Sequence, residues 1–470
     1  MGATFRPLCG SGAPPRWLGL VALGLVAPGP GAPAAHANPA SIVASAADPG
    51  DPADLQLRVD YEYSTEKATI WRERVGAAAD PLDPIPKVSD LSFRQDRHLI
   101  TPRADLGIYH NTSISVALPI IIAQQRKLTL AKGVTRDGSS TVADGLLPPE
   151  GFDARDPGTP LTGDDMFRDV KRSGLDQVHA GMTFALMNQD KDDTKPTWKL
   201  GGELRIPVGR VMRFNPRTPS DETGVGRGIH ELRVWTSVAR RYKRTEGWVE
   251  LYWQAPIAEK KTSLLQLPDA QKFGATNVGA GQRAGIAAGI EIYAVDDAAR
   301  QNRVSLDLGG RIDAHFEGRD YSEMWEVFAY AGDAGRATYG PLVLDSDPTT
   351  PTIIEGRSHP GVSNIENYLE SAGRVAVRAQ LGSYVRFAAM LDLVWKTDHI
   401  ISFADAGIDL PTCGATGVTG ACENAPNSVV NPGTREINPL HVQRIDLVGH
   451  RYHSEDNFGF VVGVQGQVLF

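Results

Sequence analysis

The sequence predicts an all-β protein, a transmembrane antiparallel β-barrel of about 12 strands with long extracellular loops, and three observations carry that expectation. The chain ends in a strand whose faces separate cleanly. Phe458, Phe460, Val462, Val464, Gly466, Val468 and Phe470 share one side, and Gly459, Val461, Gly463, Gln465, Gln467 and Leu469 share the other, because side chains of an extended chain alternate. Short turns and long polar connections then alternate along the whole chain. Finally, beyond the first apolar stretch no run approaches the roughly eighteen apolar residues of a helical span, although barrel strands of about ten residues hide their hydrophobicity in alternation. The negative mean hydropathy fits the second kind of crossing.

The two chain ends place the barrel. Arg6 and Arg16 precede or flank the apolar run Trp17 to Ala27, which is far shorter than the ~20 residues of a spanning helix. Ala35-His36-Ala37 offers small residues at the positions a signal peptidase inspects, so cleavage is expected before Asn38. Residues 1–37 are then a secretory signal, 38–53 a short periplasmic segment and 54–470 the barrel. Cys9 leaves with the signal, and no Leu-x-x-Cys box argues for a lipoprotein. The aromatic-terminated last strand resembles the closing strand of bacterial outer-membrane barrels. That resemblance implies an outer-membrane location, outer-membrane lipid and the barrel assembly machinery as partners, and Phe470 as part of the assembly signal. The formal net charge of −8 and the lack of a basic stripe argue against nucleic acid as a partner.

Each strand can be justified in order. Leu55, Leu57, Val59, Tyr61 and Tyr63 alternate with Gln56, Arg58, Asp60 and Glu62. Residues 66–90 read as a polar connection, and 91–109 as the second strand. His110-Asn111 reverses the chain into a third strand, in which Ile114, Val116, Leu118 and Ile120 alternate with Ser113, Ser115 and Ala117. Residues 125–175 are rich in Gly, Asp, Pro and Thr and read as a loop. Paired strands follow near 176–187 and 197–208, 228–240 and 247–257, 282–294 and 302–315, and 372–381 and 384–397. The last strand spans 447–470. Long connections fall at 208–227, 258–281, 316–371 and 398–446. With 12 strands every long connection lies outside and every short one inside, as outer-membrane barrels require. A 14-strand alternative remains, because Tyr321 to Ala331 could form two short strands.

Alternation also sorts the side chains. Ile114, Val116, Leu118, Leu204, Leu306, Leu308, Leu391 and Leu393 should meet lipid. Lys199, Glu203, Arg205, Glu231, Arg233, Glu250, Glu291, Asp307, Arg311, Asp313, Arg378, Arg386 and Asp392 should line the lumen. Their mixed signs read either as cross-strand pairs that hold register or as a polar pore lining. Cys413 and Cys422, close together in a Gly/Thr-rich loop of an exported protein, are expected to form a disulfide.

No enzyme, cofactor or metal site is expected. There is no Gly-x-Ser-x-Gly elbow, and His179 and His230 have no Ser in an activating motif. His450 and His453 fall on opposite faces of one strand, and Asp164, Asp165 and Asp169 form an acidic cluster in an outer loop that reads either as solvated surface, the commoner case, or as a weak cation site.

A second resemblance lies mid-chain. The runs SGLDQVHAGMTFALMN (173–188), WKLGGELRIPVGRV (198–211), GVGRGIHELRVWTSVARRY (224–242) and WVELYWQAPIA (248–258), with DLGIYHNTSISVALPIII (105–122), resemble a family of outer-membrane barrels. That family is named after the meta-pathway of phenol degradation and grouped with predicted transporters. Leu175-Asp176 and Val208-Gly209 depart from its Gly-Asp and Thr-Gly. The resemblance implies a channel or transporter passing small molecules, hydrophobic or aromatic ones among them, and no catalytic residue. The alternative is a structural barrel that binds an extracellular partner through its loops.

Overall fold

The computed structural model describes residues 41–48, 51–74, 85–265, 279–297, 299–335, 340–345, 356–403 and 442–470. Residues 1–37, where a secretory signal is expected, and Cys413 and Cys422, where a disulfide is expected, lie outside the described residues.

The chain closes into an antiparallel barrel of 12 strands. They are β1 (Leu55–Glu73), β2 (Lys87–Tyr109), β3 (Thr112–Ala117, continuing as Ile120–Leu130 past Pro119), β4 (Gln177–Met187), β5 (Thr197–Pro207) and β6 (Ile229–Tyr242). The circuit continues with β7 (Thr245–Glu259), β8 (Arg283–Asp297), β9 (Asn302–His315), β10 (Tyr368–Leu381), β11 (Val385–Lys396) and β12 (Tyr452–Leu469). β12 pairs with β1 along its length, Gln467 opposite Arg58 and Val461 opposite Ser64, which closes the ring and removes the sheet edge. The turns at His110-Asn111, Lys243-Arg244 and Gly382 to Tyr384 are tight and sit at the same end as both termini, so that end is periplasmic.

The strands are longer than the sequence pattern shows. β1 runs to Glu73 and β2 begins at Lys87, where the pattern reads a polar connection over 66–90. The physical reason is that the outer face leaves the lipid there. Outward positions such as Lys67 and Thr69 need not be apolar, so alternation fades while the hydrogen-bond ladder continues. β3 likewise extends to Leu130. The 14-strand alternative is corrected. Trp325–Ala331 forms a helix whose residues are all buried, so its aromatic content reflects packing on every side and not strand pairing. The final strand starts at Tyr452, after a short helical turn Gln443–Asp446.

Two apolar systems follow from one alternation. Outside, Val59, Val116, Leu204, Leu306, Leu391, Val462 and Val464 are exposed in a band, flanked by Tyr109, Tyr242, Tyr384 and Phe470 at the periplasmic rim and by Trp253, Phe316, Trp395 and Phe458 towards the other. Such a band with aromatic girdles is the surface of a barrel in lipid. At the extracellular mouth, Ile70, Leu91, Leu128, Phe167, Phe328, Phe403, Ile445 and Tyr452 pack into an apolar cap built from strand ends and loops. Buried Arg72 ties that cap together, donating to the carbonyls of Ser140 (3.0 Å), Arg444 (2.7 Å) and His450 (3.1 Å). Asp90 accepts from the backbone N–H and hydroxyl of both Ser140 and Thr141. Inside, ring-sized notches admit aromatic side chains. A Cβ on Gly201 would meet the Trp235 indole at 2.1 Å, and one on Gly285 would meet Tyr252 at 2.5 Å.

Candidate functional site

The lumen is the candidate site, and it is built in layers. At the periplasmic end the segment 41–48 turns back into the barrel. Asp54 N–H donates to the Ser45 carbonyl (3.0 Å) and Asn111 N–H to the Ser45 hydroxyl (3.1 Å). Lys199 Nζ reaches the Ile42 carbonyl at 2.8 Å. The close approach is possible because residue 107 is glycine, where a Cβ would meet the Ser45 carbonyl at 2.0 Å. Two chambers flank this segment. One is lined by Arg58, Arg103, Asp105, Lys199, Glu203, Arg233, Trp235 and Glu250. The other is lined by Glu291, Tyr293, Arg303, Arg378, Arg386, Gln465 and Gln467.

The midsection is a network of charge pairs. Arg205 Nε donates to Glu203 at 2.9 Å along one strand, and Arg233 Nη2 to Glu250 at 2.8 Å across to the next. Register sets Glu203 opposite Arg233 and Arg205 opposite Glu231, yet the direct contacts run along β5 and from β6 to β7. Glu231 accepts from Gln177 (3.0 Å) and Arg227 (3.3 Å). Arg378 spans Glu291 (3.0 Å) and Asp307 (2.7 Å), and Trp248 Nε1 donates to Asp307 at 3.0 Å. Arg311 pairs with Asp313 and Glu370, and Tyr252 donates to Asp313 at 2.7 Å. Arg374 grips Asp392 through two contacts of 2.8 Å. Arg386 Nε donates to Gln380 at 3.2 Å. Opposite charges that hydrogen-bond one another make a confined interior tolerable.

Above the network lies an outer chamber lined by Glu66, Arg97, Arg126, Asp176, Arg227, Arg283, Asp320, Glu323, Tyr368, Lys396 and His399. His315, Tyr368 and His399 stack there, with centroids 4.3 and 4.7 Å apart. Most of the charges are paired, Lys396 with Glu66 and Arg227 with Asp320 (2.9 Å). Arg97 is different. It makes no hydrogen bond or ion pair among the described residues, and its Nε is buried without a partner. Asp176 and Glu62 act on it only through space. On the helix Trp325–Ala331, Glu326 meets Arg126, one of the lining residues, at 3.2 Å. Burial pushes that carboxyl up to about 7 against the pull of the guanidinium.

Arg58, Asp60, Arg97, Arg103 and Arg374 join the lumen although the list of lining residues read from the sequence omits them. The same period-two alternation would have found them. Arg72, Asp90 and the segment 41–48 had no such signal, since their places depend on contacts distant in sequence. The histidines and the acidic cluster have ordinary partners. His453 contacts Glu73 (3.0 Å) and His179 lies 3.4 Å from Glu203. Asp165 holds Arg168, and Asp169 holds Arg172 at 2.7 Å.

A closed barrel with an apolar outer band, aromatic girdles and short periplasmic turns decides the setting. This chain is a β-barrel protein of a bacterial outer membrane. No family model and no curated protein sequence matches it. Among solved structures it is similar to the COG4313 outer membrane channel from Pseudomonas putida F1, with 9% identity over 90% of this chain and 99% of that one and a TM-score of 0.38. A Pseudomonas aeruginosa FadL homologue shows 9% identity over 88% and 90% of the two chains, with a TM-score of 0.30. The outer membrane protease OmpT from Escherichia coli shows 7% identity over 89% and 97%, with a TM-score of 0.26. Similarity at this level assigns neither a residue role nor a solute.

Proposed function

We propose that the barrel is a channel for small polar solutes, passive in mechanism and closed at rest by the segment 41–48. One observation carries this reading. The interior holds pockets lined by charged side chains on both sides of the midsection, whereas a purely structural barrel gains nothing from unfilled polar space. Aromatic acids fit the outer chamber. Their carboxylate can meet Arg97, which has no partner of its own, while the ring lies against the His315, Tyr368 and His399 stack.

Planar-bilayer recordings test this. Full-length protein should conduct poorly, and deletion of residues 41–48 should raise conductance severalfold. Benzoate should reduce current in the deletion variant and lose that effect after Arg97→Gln. The packed cap, with Phe328 and Tyr452 fully buried, favours a second reading, a surface barrel that binds a partner through its loops. A deletion variant that folds and never conducts would support that second reading and end the first.

A further inference from the structure

The outer wall carries a feature that transport through the lumen does not use. Register sets Lys67 of β1 opposite Arg94 of β2, Arg94 opposite Lys127 of β3, and Lys127 opposite Arg168 of the short strand Asp165–Arg168. Directly opposed residues point to the same side of a sheet. The sequence neighbours of each point inward: Glu66 pairs with Lys396, Phe93 and Leu128 are in the cap core, Arg126 meets Glu326, and Phe167 is buried. The four cations therefore form one outward row across adjacent strands.

Like charges placed directly opposite one another are destabilising, and carboxylates relieve only part of the row. Asp96 takes Arg94 at 2.8 and 2.9 Å. Asp165 pairs with Arg168, and Asp153 lies 3.7 Å from it. Lys67 and Lys127 are exposed and have no carboxylate partner among the described residues. Strands are ~4.8 Å apart, so the row spans about 14 Å of wall.

The level of the row identifies what it meets. Phe458, exposed and packed beside Trp395 (centroids 5.8 Å apart), stands opposite Lys67 on the next strand. Below it lie Tyr63, which donates to Asp96 at 3.0 Å, and His98 against the Tyr63 ring (4.9 Å). Outward aromatic residues mark the edge of the apolar layer, so the row stands at the headgroups of the extracellular leaflet.

We propose that Lys67, Arg94 and Lys127 bind the phosphates of the phosphorylated glycolipid that forms the outer leaflet. Lysine and arginine donors suit phosphate oxygens, a lipid phosphate would replace the missing anions between Lys67 and Lys127, and the sugar and chains would cover Tyr63 and Phe458. The commitment is to the lipid, since the row faces sideways into the membrane edge and not into the lumen or the loops.

The test uses full-length protein in phosphatidylcholine nanodiscs containing diphosphoryl lipid A, with retained lipid counted by native mass spectrometry. Wild-type protein should retain lipid A. Combined Lys67→Gln, Arg94→Gln and Lys127→Gln should weaken retention on the order of tenfold, while Lys243→Gln at a periplasmic turn should not. Heat-modifiable gel mobility checks folding. If the triple variant does not fold, Lys127→Gln alone, which breaks no ion pair, should still lower retention. Equal retention by these variants, equal retention of dephosphorylated lipid A, or displacement of lipid A by inorganic phosphate at low concentration would overturn the proposal.

Discussion

Leu55 and Phe470 exchange both backbone hydrogen bonds: the N–H of Leu55 donates to the Phe470 carbonyl at 3.1 Å, and the N–H of Phe470 donates to the Leu55 carbonyl at 2.9 Å. The first residue of β1 and the last residue of the chain thus lock the seam where the barrel closes. Phe470 also presents its exposed ring at the periplasmic girdle. Deleting Phe470 should reduce the amount of folded barrel in the outer membrane, measured by heat-modifiable mobility. Unchanged yield would mean that closure is secured by the rest of the β12 and β1 ladder.

Leu306 lies between Ile292 and Val377 on the lipid face, so Leu306→Arg should cost about 2–4 kcal/mol at mid-depth. From alternation alone, arginine at Asp307 would be the milder change. The structure reverses that expectation, because fully buried Asp307 accepts from Arg378 and Trp248 and an arginine there would face Arg378. Asp307→Asn is the milder partner, since Arg378 keeps Glu291. Urea unfolding in lipid vesicles should rank Asp307→Asn above Leu306→Arg in stability.

Gly201 gives the Trp235 ring its place against the inner wall. Gly201→Ala should displace the ring and cost about 1–3 kcal/mol, the usual penalty of overpacking. Adding Trp235→Ala should recover most of the loss, and tryptophan fluorescence should report the displaced ring. Full stability with an unshifted spectrum in Gly201→Ala would contradict this packing.

The Glu326 carboxyl, outside the spanning strands, is raised by burial to about 7 from 4.5. The native state therefore holds its proton where the unfolded chain has lost it, and stability falls as pH rises from about 4.5 to about 7. The cap should resist protease better at pH 5 than at pH 8. Glu326→Gln should flatten that dependence, and a wild-type cap with no pH dependence would contradict it.

Alternation is a local property. Each residue's face is set by its own strand, and this made the strands, the apolar band, the charged inner positions such as Lys199 and Asp392, and the number of crossings legible in the sequence. Its limit is equally physical. Where lipid no longer selects apolar outward residues, the pattern stops although the ladder continues, so the extracellular half of β1 and the first residues of β2 read as loop. What only the tertiary structure decided depends on pairs far apart in the chain. Ile42 reaches Lys199 across the lumen, Arg72 joins loops around Ser140 and Arg444, and Lys67, Arg94 and Lys127 become one row through strand register. Register and loop docking are set by closure of the whole ring, and no window of sequence contains that information.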